Sequence, residues 1–335
     1  MAAAGSHVNI FKNLEDNLKL VLEQIKGGET GRENKENFNF EKYWGHMGSV
    51  FELLSLEGSK FSLAFSSSPF PPIKDCEVMT ANLEKLVLEL VRVFYSLPKS
   101  QGLTLRKSLQ RAVVEVVESM LGLVSSLAQL DPGRAGERQQ ATGIVWEGAN
   151  SFVTLPKSNK EAVQTSVEQS AGLVEDALTE IDEILNNEGR LEDIFGEEEE
   201  GGGENSEAWT AQDKELVDPT KGLLKVAVKL TEKAGQACKV KATCDSEAHV
   251  AQLDDLSDCA QRLSPAVDNL TASLYAPIDH TAVRNSATTL SEIIGNMLNI
   301  LRHSHMTDEG DSKWLDFLDK ANTHNLTTLT DILNK

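Results

Sequence analysis

Apolar side chains recur along most of the chain at alternating steps of four and three residues, the repeat of amphipathic helices. The repeat is clearest in two long segments, at about residues 76–96 and 103–130. Between them, Pro98 disfavours helical geometry at the residue before it, and Gly102 can adopt backbone angles that are costly for other residues. The pattern predicts two helices joined by a short turn and folded back antiparallel, each burying its apolar stripe on the other.

The repeat predicts two further helices before this hairpin, at about residues 11–25 and 40–65. In the second of them, Gly58 occupies a position where an apolar residue is expected. A glycine there admits a close neighbour or a bend, at some cost in helix propensity. The N-terminal part of the chain therefore contributes two more helices before the hairpin.

After the hairpin, the sequence Asp131-Pro132-Gly133 ends the helix. Residues 133–141 are polar and predict a loop, and a short helix near 144–152 is expected to lie across the bundle. Ser158-x-x-Glu161 is a capping box, which predicts a helix reaching about residue 184.

The second half of the chain repeats the pattern at about residues 216–237, 253–274, 283–301 and 315–333. Pro219 is placed in the first turn of its helix, where proline is tolerated. Pro265 lies in the middle of its helix and predicts a kink there. The second half therefore predicts another set of packed helices.

A strongly acidic segment separates the two halves, with nine acidic residues and one arginine between residues 188 and 207. Charge repulsion and glycine keep such a segment disordered. It predicts an all-α protein of two antiparallel up-down helical bundles, about ten helices, with bundles at residues 1–187 and 213–335 joined through an acidic loop at 188–212. The run Glu197, Glu198, Glu199 and Glu200 is a candidate docking element for a partner, and a solvated spacer is the alternative.

The aromatic residues are unevenly distributed, because ten of the eighteen lie between Phe38 and Tyr95. We therefore expect a wide, aromatic core in the first bundle. Beyond residue 213 only Tyr275, Trp314 and Phe317 are aromatic. The second core is expected to consist mostly of Leu, Ala and Val, with closer helices.

The charge balance narrows the class of partner. With 52 acidic and 32 basic residues the formal net charge is -20, which repels phosphate backbones and anionic lipid. No apolar run approaches the roughly 20 residues of a membrane span, and the N-terminus does not resemble a signal peptide. These features predict an intracellular protein that binds neither nucleic acid nor membrane directly.

The residues that carry chemistry are scattered. The four cysteines form no CxxC pair and predict reduced, half-buried thiols, and the sequence contains no nucleotide-binding or serine-hydrolase motif. His303 and His305 are expected to diverge at a helix end, while His249, His280 and His324 are expected to be surface or hydrogen-bonded histidines. We predict no catalytic, cofactor-binding or metal-binding residue, and hence no enzyme.

Ser68 precedes Pro69 in a proline-containing loop and is a candidate phosphorylation site. An ordinary unmodified surface loop is the alternative interpretation of this stretch.

Two blocks carry a resemblance to a known family. They are Ser-Leu-Pro-Lys-Ser-Gln-Gly-Leu-Thr-Leu-Arg-Lys at residues 96–107, and the stretch 250–275, which contains Val-Ala-Gln-Leu-Asp-Asp and Leu-Ser-Pro-Ala-Val-Asp. In these blocks the chain resembles the cyclin-D-binding GCIP family, also called the human homologue of Maid. The resemblance spans nearly the whole chain, is weak in the first 35 residues and across 131–157, and indicates a vertebrate relative.

The resemblance implies an all-helical protein of nucleus and cytoplasm that binds D-type cyclin and restrains its kinase. Retinoblastoma protein then stays unphosphorylated and cell-cycle progression is slowed. The family is also described as Id-like, sequestering helix-loop-helix transcription factors. The residues themselves argue against a true helix-loop-helix dimer, because the apolar stripes are needed inside the bundles. The chain contains no Arg-x-Leu cyclin-docking tripeptide, so a cyclin would have to contact a folded surface.

Three classes of function stay open from the sequence. The leading hypothesis is a non-enzymatic inhibitor of the cyclin-D-dependent kinase, and the acidic surface favours basic partners. The second is a vinculin-like helical scaffold or adaptor that captures amphipathic helices. An enzyme is the third and requires a deep pocket with convergent polar groups.

Overall fold

The structure, a computed structural model, describes residues 2–27, 38–67, 69–129, 134–186 and 209–335. Within these ranges every α-helix and 3-10 helix belongs to one of two compact units and no strand occurs, which confirms the all-α prediction. The units are Met1–Lys157 and Ser158–Lys335. Two predicted sites, Ser68 and the run 197–200, lie outside the described residues.

In the described residues, the first unit is a bundle of five α-helices. They are α1 (Ala2–Lys26), α2 (Phe40–Ala64), α3 (Ile73–Tyr95), α4 (Leu103–Ala128) and α5 (Ala135–Thr154). Around the bundle the neighbours follow the order α1, α4, α5, α2, α3 and back to α1. Since successive helices alternate in direction, α1 and α3 are parallel neighbours. His7 contacts the Pro71 carbonyl near their starts, and Tyr95 donates to the Gln24 carbonyl near their ends.

The core of the first unit is aromatic, as predicted. Phe11 of α1 packs edge-on against Phe61 and Phe65, with ring centroids 6.3 and 5.1 Å apart. All three rings are fully buried. Edge-to-face packing of this kind adds to the gain from burying apolar area and fixes where α1 meets the end of α2.

The predicted turn between the two long central helices is confirmed. Leu97 is buried, a single 3-10 turn spans Lys99–Gln101, and Gly102 adopts a φ of 119°, which favours glycine. The packing differs from the prediction, because α3 and α4 each pack more extensively on α1 than on each other. Helix α1 packs against both, while α3 also packs on α2 and α4 also packs on α5.

Helix α5 is longer than the sequence predicts. It begins at Ala135, in the stretch 133–141 that was expected to be a loop, and it lies along α2 rather than across the bundle. Two glycines of α2 allow α5 to approach α2 closely. A Cβ atom on Gly58 would lie 2.8 Å from Val145 Cγ1, and one on Gly48 would lie 2.8 Å from the Phe152 ring. The predicted close neighbour of Gly58 is therefore Val145.

The second unit also forms a closed bundle. Its helices are α6 (Asn159–Asn186), α7 (Ala211–Lys241), α8 (Glu247–Gln261), α9 (Leu263–Ala272), α10 (His280–Arg302) and α11 (Ser312–Leu333). The neighbours follow the order α6, α7, α11, α10, then α8 with α9, and back to α6. Helices α6 and α8 are parallel: Asn159 donates to Asp254, and further along both helices Ser257 donates to Ser166.

The assignment of α6 differs from the sequence prediction, which placed residues 158–187 in the N-terminal bundle. The stripe of α6 is buried in the core of the second unit, with Val163, Val167, Val174 and Ile181 all fully buried there. The contact boundary falls between Lys157 and Ser158. The acidic segment therefore connects two helices of one unit, because α6 and α7 both belong to the second.

Two prolines behave differently. Pro265 was predicted to kink its helix, and the helix is indeed interrupted at Arg262, dividing it into α8 and α9. The interruption is expected because a proline ring clashes with the carbonyl four residues earlier. Pro219 was predicted in a first turn, but α7 begins at Ala211 under a capping box of Thr210 and Asp213. Pro219 consequently lies inside the helix.

The core of the second unit is aliphatic, as predicted. Its fully buried leucines include Leu216, Leu223, Leu224, Leu230, Leu253, Leu256, Leu263, Leu270, Leu290 and Leu301. Trp209, just before α7, is the buried aromatic residue, and its Nε1 donates to the Leu274 carbonyl at 2.8 Å. This bond ties the start of α7 to the end of α9.

Two glycines of α2 give a matched test of this packing. Gly45 is exposed with no atom within 4 Å of a built Cβ, whereas Gly58 faces Val145. Gly45→Ala should raise the free energy of unfolding by about 1 kcal/mol, since alanine is the better helix former. Gly58→Ala should lower it by about 1 kcal/mol, because overpacking outweighs that gain. Thermal and urea unfolding measure both, and an equal gain at both positions would contradict the close α2–α5 contact.

Candidate interaction surfaces

The first candidate surface is an exposed apolar strip on α2 and α5. Leu56, Leu63, Trp146 and Val153 are 50, 77, 48 and 78% exposed, and we call them the α2–α5 strip. Trp146 Nε1 donates to Ser59 Oγ at 2.9 Å, and Ser59 lies on α2 between the two leucines. Single exposed apolar residues are ordinary, but a group on adjoining helices is typical of an interaction site.

Aromatic contacts hold these two helices together at the end of α5 and the start of α2. The ring of Phe152 lies 5.1 Å from that of Phe51 and 6.0 Å from that of Trp44. Lys157 Nζ lies 3.5 Å from the centroid of the Phe152 ring and donates to the Phe152 carbonyl at 2.8 Å. Lys157 Nζ also lies 4.6 Å from the centroid of the Trp44 ring on α2, so the cation and the ring contacts together fix the end of α5 against the start of α2.

The second candidate surface is a pocket of about 200 Å³ where α1 and α3 end and α4 begins. We call it the α4 pocket. Its lining residues are Ile25, Phe94, Tyr95, Lys99, Leu103, Arg106, Lys107 and Gln110. Two hydrogen bonds join its walls: Tyr95 donates to the Gln24 carbonyl at 3.2 Å, and Gln110 donates to the Ile25 carbonyl at 2.7 Å.

A pair of stacked histidines lies in the second unit. The rings of His249 and His305 are 3.9 Å apart and within 8° of parallel. The backbone N–H of Thr243 donates to His305 Nε2 at 3.1 Å, so this nitrogen accepts and His305 is neutral. His305 Nδ1 then donates to Gln252 Oε1 at 2.7 Å. Burial lowers the pKa of His305, and the neighbouring His249 lowers it further.

The sequence anticipated hydrogen-bonded histidines but not this pair, because 56 positions separate the two in the chain. His280 is also hydrogen-bonded, to Asp213 at 2.9 Å. His303 contacts the Asn299 carbonyl at the end of α10, so it lies at the helix end where the sequence placed it. His249 lies in the first turn of α8 and His305 follows α10. Because these two segments meet only in the folded bundle, no local signal marked the contact.

The four cysteines are free thiols. They were expected to be half-buried, but three are buried and Cys244 is exposed. Burial raises the pKa of Cys238 and of Cys259 to about 11, so both are protonated at neutral pH and are poor nucleophiles. In the described part of the chain, no group of three or more His, Cys, Asp or Glu side chains is placed to hold a metal ion.

None of the helices in the described ranges is long and apolar enough to cross a membrane. The candidate phosphorylation site Ser68 and the acidic residues Glu197, Glu198, Glu199 and Glu200 lie outside those ranges. They stay predictions from the sequence.

Two closed helical bundles with exposed apolar and charged surfaces define an all-α helical-bundle protein. The sequence profiles described as "Grap2 and cyclin-D-interacting, N-terminal" and "Grap2 and cyclin-D-interacting, C-terminal" match residues 46–187 and 195–299. The chain belongs to this Grap2 and cyclin-D-interacting family, as its two resembling blocks indicated.

Curated relatives match almost end to end. A Danio rerio protein named cyclin-D1-binding protein 1 homolog is 35% identical over 332 residues, covering 96% of this chain and 95% of that protein. The Xenopus laevis homolog is 36% identical over 319 residues, covering 94% and 96%. The Homo sapiens cyclin-D1-binding protein 1 is 26% identical over 349 residues, covering 98% and 94%.

The two family profiles meet at the acidic segment and not at the contact boundary of the structure. The N-terminal profile extends to residue 187 and includes α6, whereas the folded chain divides after Lys157. A profile boundary can follow an acidic spacer, but a core boundary follows the packing of apolar stripes. Helix α6 is therefore N-terminal by profile and part of the second unit by packing.

The histidine pair predicts a pH dependence. An unfolded histidine has a pKa of about 6.5, and the lower pKa of His305 in the folded protein means that the unfolded chain binds a proton first. Stability should then fall as the pH drops below about 6.5. His305→Gln keeps an acceptor and a donor but cannot be charged, so its melting temperature should fall less than that of the wild type between about pH 7.5 and 5.5.

His324→Gln is the matched control, because His324 is an exposed histidine on α11. Its melting temperature should follow the wild-type pH profile. If His305→Gln also follows that profile, the stacked pair does not disfavour protonation of His305.

Proposed function

We propose that this protein is a non-enzymatic regulator that binds D-type cyclin and restrains the cyclin-dependent kinase. By limiting phosphorylation of retinoblastoma protein it would slow cell-cycle progression. The observation that carries the proposal is the near full-length similarity to proteins named for binding cyclin D1. The family profiles, whose description also names a cyclin-D interaction, support the same partner.

We further propose the α2–α5 strip as the cyclin-contacting surface. All four of its residues fall within the N-terminal profile match at residues 46–187. The core-facing stripes of α2 and α5 are buried within their own unit, so the strip offers apolar area without unfolding. Binding that buries exposed leucine and tryptophan gains free energy in proportion to the area removed from water.

The experiment compares two charge-introducing double variants of the full chain. Leu56→Glu with Leu63→Glu disrupts the strip, and Leu173→Glu with Val240→Glu adds the same charge in the second unit, at side chains that are 52 and 69% exposed. With purified D-type cyclin, calorimetry should show at least about tenfold weaker binding for the strip variant, a loss of about 1.4 kcal/mol. The control variant should bind like the wild type.

A kinase assay extends the test to regulation. Wild-type protein should reduce phosphorylation of retinoblastoma protein by the cyclin-D kinase, and the strip variant should reduce it less. Circular dichroism and a melt establish that both variants are folded. Equal binding by both variants would remove the strip from the proposal, and absence of binding by the wild type at micromolar concentration would remove cyclin D itself.

Other parts of the proposed role rest on the resemblance. Residence in both nucleus and cytoplasm is checked by imaging a tagged chain. Sequestration of helix-loop-helix factors is disfavoured, because the apolar stripes of the described helices are buried in their own units. A scaffold role predicts that an amphipathic helical peptide raises the melting temperature, as any ligand of the folded state does.

A further inference from the structure

Two of the four cysteines meet at one place in the second unit. Cys238 lies in the last turn of α7, and Cys244 follows in the short segment 242–246 that leads to α8. Cys238 Sγ donates to the Lys160 carbonyl at 3.8 Å, and the Cys244 thiol forms a hydrogen bond with the Lys160 backbone. Both sulfur atoms therefore contact one residue in the first turn of α6.

The other two cysteines have different surroundings. Cys76 belongs to the first unit, where its thiol donates to the Pro71 carbonyl at 3.6 Å. Cys259 lies on α8, and its thiol donates to the Ile293 carbonyl of α10 at 3.6 Å. Both side chains are buried. The pair at Lys160 is thus distinguished by a shared contact residue.

The two thiols of the pair differ in access. Cys238 is fully buried, whereas Cys244 is exposed. Burial raises the pKa of Cys238 to about 11, with a smaller upward contribution from the neighbouring Cys244. Desolvation also raises the pKa of Cys244, but its hydrogen bond to the Lys160 backbone opposes that rise. A reagent in solution therefore reaches Cys244 first.

We propose that Cys238 and Cys244 form a redox modification site, at which a small-molecule disulfide such as glutathione disulfide converts the two thiols into a reversible intramolecular disulfide. The Cys244 thiol loses its proton to water, and the thiolate attacks one sulfur of the small disulfide, releasing one small thiolate. That thiolate takes the proton of Cys238, whose sulfur then attacks Cys244 Sγ. The second small thiolate leaves and takes up the proton from water.

The electrons balance in this exchange. The two cysteines are oxidised by two electrons as their sulfur–sulfur bond forms. The small disulfide is reduced by the same two electrons and becomes two thiols. An excess of those small thiols drives the exchange backwards, so the site responds to the ratio of the two forms.

Proximity favours the second step and offsets the high pKa of Cys238. Because both sulfur atoms are held at Lys160, their effective concentration exceeds that of a dissolved thiol. A disulfide also requires the two Cα atoms to lie within about 7 Å of each other. Cys244 lies outside the helices, in the segment 242–246. This segment can therefore adjust while Cys238 stays in α7.

The disulfide would enclose a residue that supports the stacked histidines. Thr243 lies between the two cysteines in the sequence; its backbone N–H donates to His305 Nε2, and its hydroxyl contacts His249 Nδ1 at 2.9 Å. Oxidation thus constrains the segment that connects the thiol pair to the histidine pair. The inference does not depend on the proposed cyclin function, because it follows from contacts within the second unit.

Mass spectrometry of the full-length protein tests the site. After incubation with glutathione disulfide under native conditions, the wild type should lose the mass of two hydrogen atoms, and dithiothreitol should restore it. Trypsin cleaves after Lys239 and Lys241, between the two cysteines, so the disulfide should join peptide 234–239 to peptide 242–262. Fragmentation of the joined peptides distinguishes Cys244 from Cys259.

Cysteine variants assign the two roles. Cys238→Ser should stop at the mixed disulfide and gain the mass of one glutathionyl group on Cys244. Cys244→Ser, at an exposed position, should stay reduced. Cys259→Ser and Cys76→Ser are the controls and should lose two hydrogen atoms like the wild type. Circular dichroism and melting curves establish that each variant is folded.

The proposal fails if the wild type keeps its mass at a large excess of glutathione disulfide, or if it accumulates a lasting mixed disulfide on Cys244. It fails equally if Cys76 or Cys259 takes part in the disulfide, because the reaction would then report unfolding and not the contact at Lys160. Since cyclin is absent from these measurements, their outcome leaves the proposed function to its own experiment.

Discussion

Five helices that alternate in direction cannot close a ring without bringing two parallel helices together. In the first unit the parallel pair is α1 and α3. Asn17 of α1 donates a hydrogen bond to Glu84 of α3, in addition to the hydrogen bonds near the starts and ends of the two helices. The second unit meets the same constraint with α6 and α8, where Ser257 and Gln261 donate to Ser166 in a largely buried seam. The order in which helices neighbour one another also differs between the two units. The two bundles therefore have different topologies, although each contains one parallel pair.

The parallel pair of the first unit determines where its charge accumulates. Because α1 and α3 end on the same side, two helix C-termini with partial negative charge meet the N-terminus of α4. Cations stabilise such C-termini, and the same cations raise the local potential in an otherwise acidic chain. Lys26 at the end of α1 is paired with Glu118 at 2.6 Å, and Lys99 and Lys107 line the α4 pocket. A requirement of the fold thereby gathers cations at one end of this bundle.

Most helices could be predicted from the sequence, because the four-three repeat, Pro98, Gly102 and Pro265 act locally. The helix against which each of them packs could not be predicted. An amphipathic stripe specifies that a face is buried but not against which helix, so α6 was grouped with its chain neighbours and α3 with α4. The start of α5 was missed because its first turns are polar. The α4 pocket was missed for a related reason: its cations are adjacent in sequence, but its floor comes from α1 and α3.

The α2–α5 strip is apolar, whereas the α4 pocket is lined by charged as well as apolar residues. The forces that could hold a partner at each surface therefore differ. Association through the α2–α5 strip depends on apolar area and should be nearly indifferent to salt. Association that depends on exposed charges is instead weakened by salt, which screens such charges within about 10 Å at 0.1 M. The salt dependence of a complex therefore distinguishes an apolar contact at the strip from a contact made by charged residues.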